Sequence, residues 1–88
     1  MHSVFVEFEF GSLARKAYEA LQPELQASPS ERSKIELSVD GGLLKLFIEA
    51  EDIISLRAAL NTWLRLIKIT EEMFNARRAA EVYYLVIS

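Results

Sequence analysis

AEDIISLRAALNTWLRLIKI, residues 50–69, decides how this chain folds. Wound at about 100° per residue, the segment from residue 50 to about 75 has one narrow polar face, made of Arg57, Asn61, Arg65, Lys68, Glu72 and Asn75. The remaining circumference is apolar or small. Ile53, Leu56, Leu60, Leu64, Ile67 and Phe74 form one stripe. Ser55, Ala59, Thr62, Leu66, Ile69 and Met73 form a second beside it, with Trp63 between the two. A helix on a small domain buries one such stripe against its own sheet, so the spacing predicts core contact for the first stripe and a partner for the second. The second stripe carries small residues early and large ones late, which lets another helix approach closely and then fills the space beside it.

Working outward, Asp52 is the expected N-cap of this long helix, with Glu51 favouring the positive end of its dipole. Upstream, Ile35, Leu37 and Val39 alternate with Lys34, Glu36, Ser38 and Asp40. Leu44, Leu46 and Ile48 alternate in the same way with Leu43, Lys45, Phe47 and Glu49. Between these two strands Asp40-Gly41-Gly42 signals a tight hairpin. A turn at Gly41-Gly42 pairs Val39 with Leu44, and one at Asp40-Gly41 shifts the pairing by two. Both keep the same faces, so parity leaves the choice open.

Residues 3–10 form another alternating strand, with Val4, Val6, Phe8 and Phe10 facing the core. Gly11 ends it and Ser12 is the expected cap of a first helix. That helix carries Leu13, Ala17, Ala20 and Leu21 on one face, Ala14 and Tyr18 on an adjoining one, and Arg15, Lys16, Glu19 and Gln22 opposite. Pro23 predicts that it ends near Gln22, followed by a loop over residues 23–33. Downstream, residues 76–88 read as a helical extension around Arg77, Arg78, Ala79 and Ala80 or as an apolar tail. Residues 82–87 are an unbroken β-prone run that needs covering by the domain or by a neighbouring chain.

The expected fold is α+β in the order β-α-β-β-α. It has a three-stranded antiparallel sheet with both helices on one face, as one domain over residues 1–75. Phe5, Leu43 and Phe47 fall on the nominally polar sheet face and are candidate dimer contacts. A chain of 88 residues that is 51% hydrophobic has more apolar side chains than so small a domain readily covers, which points to surface shared with another subunit.

Composition excludes several chemistries. There are no cysteines, so no disulfide or thiolate metal site, and His2 is the sole histidine. No nucleophile–base pair is available, and the three glycines match neither a phosphate loop nor a dinucleotide fingerprint. The carboxylates at Glu49, Glu51, Asp52, Glu71 and Glu72 suit capping and a solvated helix face better than acid–base work. No catalytic residue, cofactor or metal site is expected, and the chain reads as a non-enzyme. With no basic-then-apolar leader and no membrane-length run, a cytoplasmic location is expected. A net charge of −3 and a pI near 5.1 do not describe a polybasic nucleic-acid binder. The stripe Arg57, Asn61, Arg65 and Lys68 still offers phosphate contacts, with a solvated helix face as the plain alternative.

Ala50-Glu51-Asp52, Leu56-Arg57-Ala58, Asn61 and Leu64-Arg65 resemble the signature of the small dimerising Pcc subunit of the KEOPS complex. Arg32-Ser33 and the set Ala17, Tyr18, Leu21, Pro23 and Glu24 extend the likeness, which covers about residues 4–74. The resemblance implies a KH-like order of elements and a non-catalytic, homodimeric scaffold. It also implies a role in tRNA threonylcarbamoyladenosine modification, with the helices holding N-terminal helices of the threonylcarbamoyl transferase subunit. A related paralogue that pairs with that subunit is the close alternative. On this chain the docking surface would comprise Ala14, Tyr18, Ser55, Ala59, Thr62, Trp63, Leu66, Ile69 and Met73. Arg57, Arg65 and Lys68 are the candidate RNA contacts. The Gly-x-x-Gly loop with which KH domains clamp an RNA backbone is missing, so tRNA is expected as a partner only within the complex. A KH-like RNA-binding module and a generic dimerisation domain remain as other readings.

Overall fold

A computed structural model of the chain describes residues 1–27, 33–74 and 83–87. Its elements are β1 (His2–Glu9), a 3-10 turn (Gly11–Leu13), α1 (Ala14–Ala27), β2 (Ser33–Asp40), β3 (Leu43–Ala50), α2 (Ile53–Met73) and β4 (Tyr83–Ile87). The strands form one antiparallel sheet in the order β2-β3-β1-β4. The expected β-α-β-β-α order, antiparallel hairpin and one-sided helix layer are all present. Where the tail left helix or strand open, residues 83–87 are a strand on the outer side of β1, and Phe5 pairs there with Val86. The helical alternative at Arg77, Arg78, Ala79 and Ala80 lies outside the described residues.

Period-two alternation translates directly into burial. Val4, Val6 and Phe8 are buried from β1, Phe10 just beyond its end, Leu44, Leu46 and Ile48 from β3, and Leu37 from β2. Each such side chain removed from water contributes about 1.5–3 kcal/mol, so this inner layer drives the fold. Its helix-side counterparts are Ala14, Ala17 and Leu21 of α1 with Leu56, Trp63 and Ile67 of α2.

The hairpin turns at Gly41-Gly42, pairing Asp40 with Leu43 and Val39 with Leu44. Gly41 has φ +61°, and it alone of the two turn glycines is positive, the pattern a type II′ turn requires. Long-range contact holds the turn in place. The Gly42 carbonyl accepts from the backbone N–H groups of Phe10 (2.9 Å) and Gly11 (3.0 Å), so the hairpin tip is bonded to the corner where β1 ends.

Three local expectations are corrected. First, α1 runs through Pro23 to Ala27 rather than stopping near Gln22. Proline removes one helical N–H donor, but the apolar positions Ala14, Ala17, Leu21 and Leu25 continue past it onto the core. Tertiary burial there outweighs the local bias. Second, Ser12 is not a cap: it lies inside the 3-10 turn whose N-cap is Phe10. Third, Ala20 is exposed, and the buried seam of α1 runs through Ala14 instead. By contrast Asp52 caps α2 as expected, its carboxylate accepting from Ser55 N–H at 2.7 Å. Leu56 N–H closes the first turn onto the Asp52 carbonyl at 3.1 Å.

Candidate functional site

At 1.5 Å per residue, α2 is a rod about 31 Å long lying across β1, β2 and β3 and against α1. Its buried residues are Leu56, Trp63, Ile67 and Thr70. The contact seam therefore takes Leu56 and Ile67 from the expected core stripe and adds Trp63, which is 6% exposed. Leu60 and Leu64 flank the seam on one side and Ala59 and Leu66 on the other, all partly buried against the core. Ile53, expected in the core stripe, is 47% exposed. Ile53 is the first residue of the helix, two turns or more from Trp63 and Ile67, whereas Leu60, Leu64 and Phe74 of the same stripe pack against the core. Thr70 satisfies its buried hydroxyl by donating to the Leu66 carbonyl at 2.9 Å, a bond to the turn four residues back.

The nine residues expected on the partner surface thus separate into three groups. Ala14 and Trp63 belong to this chain's own core. Tyr18, Ser55, Ala59 and Leu66 are half-buried. Thr62, Ile69 and Met73 stand free, with Ile69 46% and Met73 70% exposed. At the other end of α2, Ile54 is 78% exposed. Reading the stripes by hydropathy missed Ile54, because it lies on the polar face with Asn61 and Arg65, seven and eleven residues on. A lone isoleucine among polar residues was the available signal.

On the opposite sheet face Phe5, Leu43 and Phe47 are half-buried, and Phe5 sits directly across from Phe47. Charges share that face. Lys45 lies 3.9 Å from Glu7 and 3.4 Å from Asp40, while Lys34 lies 3.3 Å from Glu36 along β2. A hollow of about 630 Å³ follows β2, bordered by Leu25, Ile35 and Leu37 and by Phe5, Lys45 and Phe47. Arg57, Arg65 and Lys68 are exposed on α2 and make no ion pair with a described residue.

Among the described residues no group of three or more His, Asp or Glu converges to hold a metal. No helix there is long and apolar enough to cross a membrane.

These features define a small α+β domain that leaves apolar side chains uncovered on both of its layers. The family model described as Transcription factor Pcc1 matches residues 1–75, and the chain belongs to that family. It is 29% identical over 72 residues to the KEOPS complex subunit Pcc1 of Pyrococcus abyssi, an alignment spanning 82% of this chain and 88% of that protein. Strand β4 lies beyond the matched residues.

Proposed function

We propose that this chain is a non-catalytic, dimerising scaffold subunit of a KEOPS-type complex, holding the threonylcarbamoyl transferase subunit during tRNA threonylcarbamoyladenosine modification. The observation that carries this reading is the free apolar edge of α2. Ile69 and Met73 are exposed one helical turn apart, and Thr62 continues the line toward the helix N-terminus. Ser55, Ala59 and Leu66 lie alongside as half-buried ground on which an incoming amphipathic helix can rest. Such a line costs solvation in the free protein and is recovered when a partner covers it.

The test is co-purification with the transferase subunit. Ile69→Asp and Met73→Asp change side chains that contribute little to the core, so each variant should fold as the parent does. Each is expected to weaken co-purification at least tenfold, the loss a buried interface charge brings. Ala59→Arg and Leu66→Asp also block the surface, but both positions touch the core, so a folding control must accompany them. Normal co-purification of the Ile69 and Met73 variants would remove this surface from consideration.

A second reading rests on the exposed Arg57, Arg65 and Lys68, which would meet phosphate groups of tRNA held by the assembled complex. In that case affinity of the complex for tRNA falls with salt, and each of the three replaced by Gln lowers the slope of that dependence by about one. An unchanged slope in the triple variant would dismiss the basic stripe.

A further inference from the structure

We infer that the sheet face opposite the helices docks an extended, arginine-bearing segment of a partner protein, with its arginines four residues apart. The inference goes beyond the scaffold reading and uses the other layer of the domain. Both helices pack on one face of the sheet, and no described element covers the other. Phe5 and Phe47 stand on that open face directly across from each other, on the two central strands. Both are half-buried, and neither belongs to the core cluster. The hollow along β2 reaches both of them together with Glu36.

Charge decides what such a face can hold. The strand registers order it into four rows. The first holds Ser3, Glu49 and Lys34, and the second Phe5, Phe47 and Glu36. The third holds Glu7, Lys45 and Ser38, and the fourth Glu9, Leu43 and Asp40. Strand β4 pairs Val86 with Phe5 and Tyr84 with Glu7, so it brings no charge to these rows. Of the chain's 13 acidic and 10 basic residues, five acids and two bases lie here. This face therefore accounts for the whole net charge of −3. Its two bases are already engaged. Lys34 lies 3.3 Å from Glu36, and Lys45 serves two carboxylates, Glu7 at 3.9 Å and Asp40 at 3.4 Å.

An aromatic pair on central strands would suit the stacked bases of a single-stranded RNA, but the excess of carboxylates repels phosphate. A second copy of this chain brings the same excess, so like charge opposes face-to-face association. An arginine answers both features, because its guanidinium stacks on an aromatic ring and offers paired N–H donors to a carboxylate.

Strand geometry sets the spacing. Same-face residues are two apart along a strand, so successive rows lie about 7 Å from one another. The uncompensated charge falls in the second row, at Glu36, and in the fourth, at Glu9 and Asp40. Those rows are about 14 Å apart. An extended segment lying along the strands repeats at the same interval and sets residues i, i+2 and i+4 on the face. Arginine i then stacks on Phe5 and Phe47 beside Glu36. The middle residue lies over Glu7 and Lys45, and arginine i+4 reaches Glu9 and Asp40 past Leu43.

The experiment is fluorescence anisotropy of labelled peptides titrated with the full chain at low salt, each variant checked by circular dichroism. The peptide Gly-Ser-Arg-Ser-Val-Ser-Arg-Ser-Gly is expected to bind with Kd on the order of 100 μM. Its isomer Gly-Ser-Arg-Ser-Val-Arg-Ser-Ser-Gly turns the second arginine to the opposite side and should bind about fivefold more weakly or worse. Phe47→Leu keeps apolar bulk without an aromatic face and should weaken the first peptide roughly threefold. Glu9→Gln combined with Asp40→Asn should erase the difference between the two peptides. Equal binding of both peptides to the parent, no binding up to about 1 mM, or an affinity indifferent to Phe47→Leu overturns the assignment. Capture of a uridine decamer where the peptide fails overturns it in favour of RNA stacking.

Discussion

Gly42→Ala tests how the hairpin tip is fastened to the rest of the domain. A Cβ built at Gly42 lies 3.1 Å from Gly11 Cα and 3.4 Å from both Gly11 N and Gly11 O. The obstacle is backbone rather than the free end of a side chain. That backbone is itself held by Phe10 N–H and Gly11 N–H donating to the Gly42 carbonyl, so the two segments can separate only by stretching both bonds. Overpacking of this kind costs about 1–3 kcal/mol. Loss of glycine's freedom in the unfolded chain returns about 0.4–1 kcal/mol. A net destabilisation of about 1–2 kcal/mol should lower Tm by roughly 5–15 °C in a domain this size. The assay is thermal unfolding followed by circular dichroism at fixed protein concentration, since association would otherwise move Tm. Gly41→Asn is the comparison: Gly41 has φ +61° and nothing within 4 Å of its added Cβ. The first central position of a type II′ turn favours glycine, so Gly41→Asn is expected to lose about 1 kcal/mol to backbone strain with no overlap, roughly 4–8 °C in Tm. A Gly42→Ala Tm equal to or above the parent's would refute the close approach of Gly42 to Gly11.

Trp63→Ala removes the centre of the α2 seam and should cost about 3–5 kcal/mol in urea unfolding, against less than 1 kcal/mol for the exposed Ile54→Ala. Asp52→Ala deletes the carboxylate that accepts from Ser55 N–H and is expected to lose about 0.5–2 kcal/mol by the same measurement. Gln22 buries its Nε2 without a hydrogen-bond partner among the described residues, so Gln22→Met should raise stability by about 0.5–1.5 kcal/mol; a drop would reveal a role for the amide.

Much of the fold was legible because strands write their faces two residues at a time. Val4, Val6 and Phe8, or Leu44, Leu46 and Ile48, leave no second way to bury them. The hairpin register was not legible: both candidate turns keep those faces, and the choice depends on Gly42 meeting Gly11, about thirty residues away in a contact no local pattern carries. Pro23 was misread for a related reason, since the residues that carry α1 past it act through a core the local bias does not register. The long helix was legible as an amphipathic rod, and Leu56 and Ile67 of its expected core stripe are buried. What the wide apolar arc left open was the side taken by Trp63, which lies between the two stripes and is buried. Ile69 and Met73 stand free, whereas Ala14 and Trp63 are interior. Strand β4 was visible only as a β-prone run, because its partner lies at the far end of the sequence.

That distance has a consequence for the order of folding. The β2–β3 hairpin closes over a two-residue turn, whereas β1 must find β3 across some forty residues and β4 must find β1 across about eighty, so loop-closure entropy rises in that order. Assembly is expected to begin at Gly41-Gly42, admit β1 next and seat β4 last. Until β4 arrives, Val4 to Phe8 present an eligible template strand to any other extended chain nearby. Pulse-labelled hydrogen exchange during refolding should therefore protect the amides of Ser38 and Lys45, a hydrogen-bonded pair of the hairpin, before those that pair β1 with β4. The last strand to join is in this sense the chain's own guard against mispairing, and it is needed most while it is still absent.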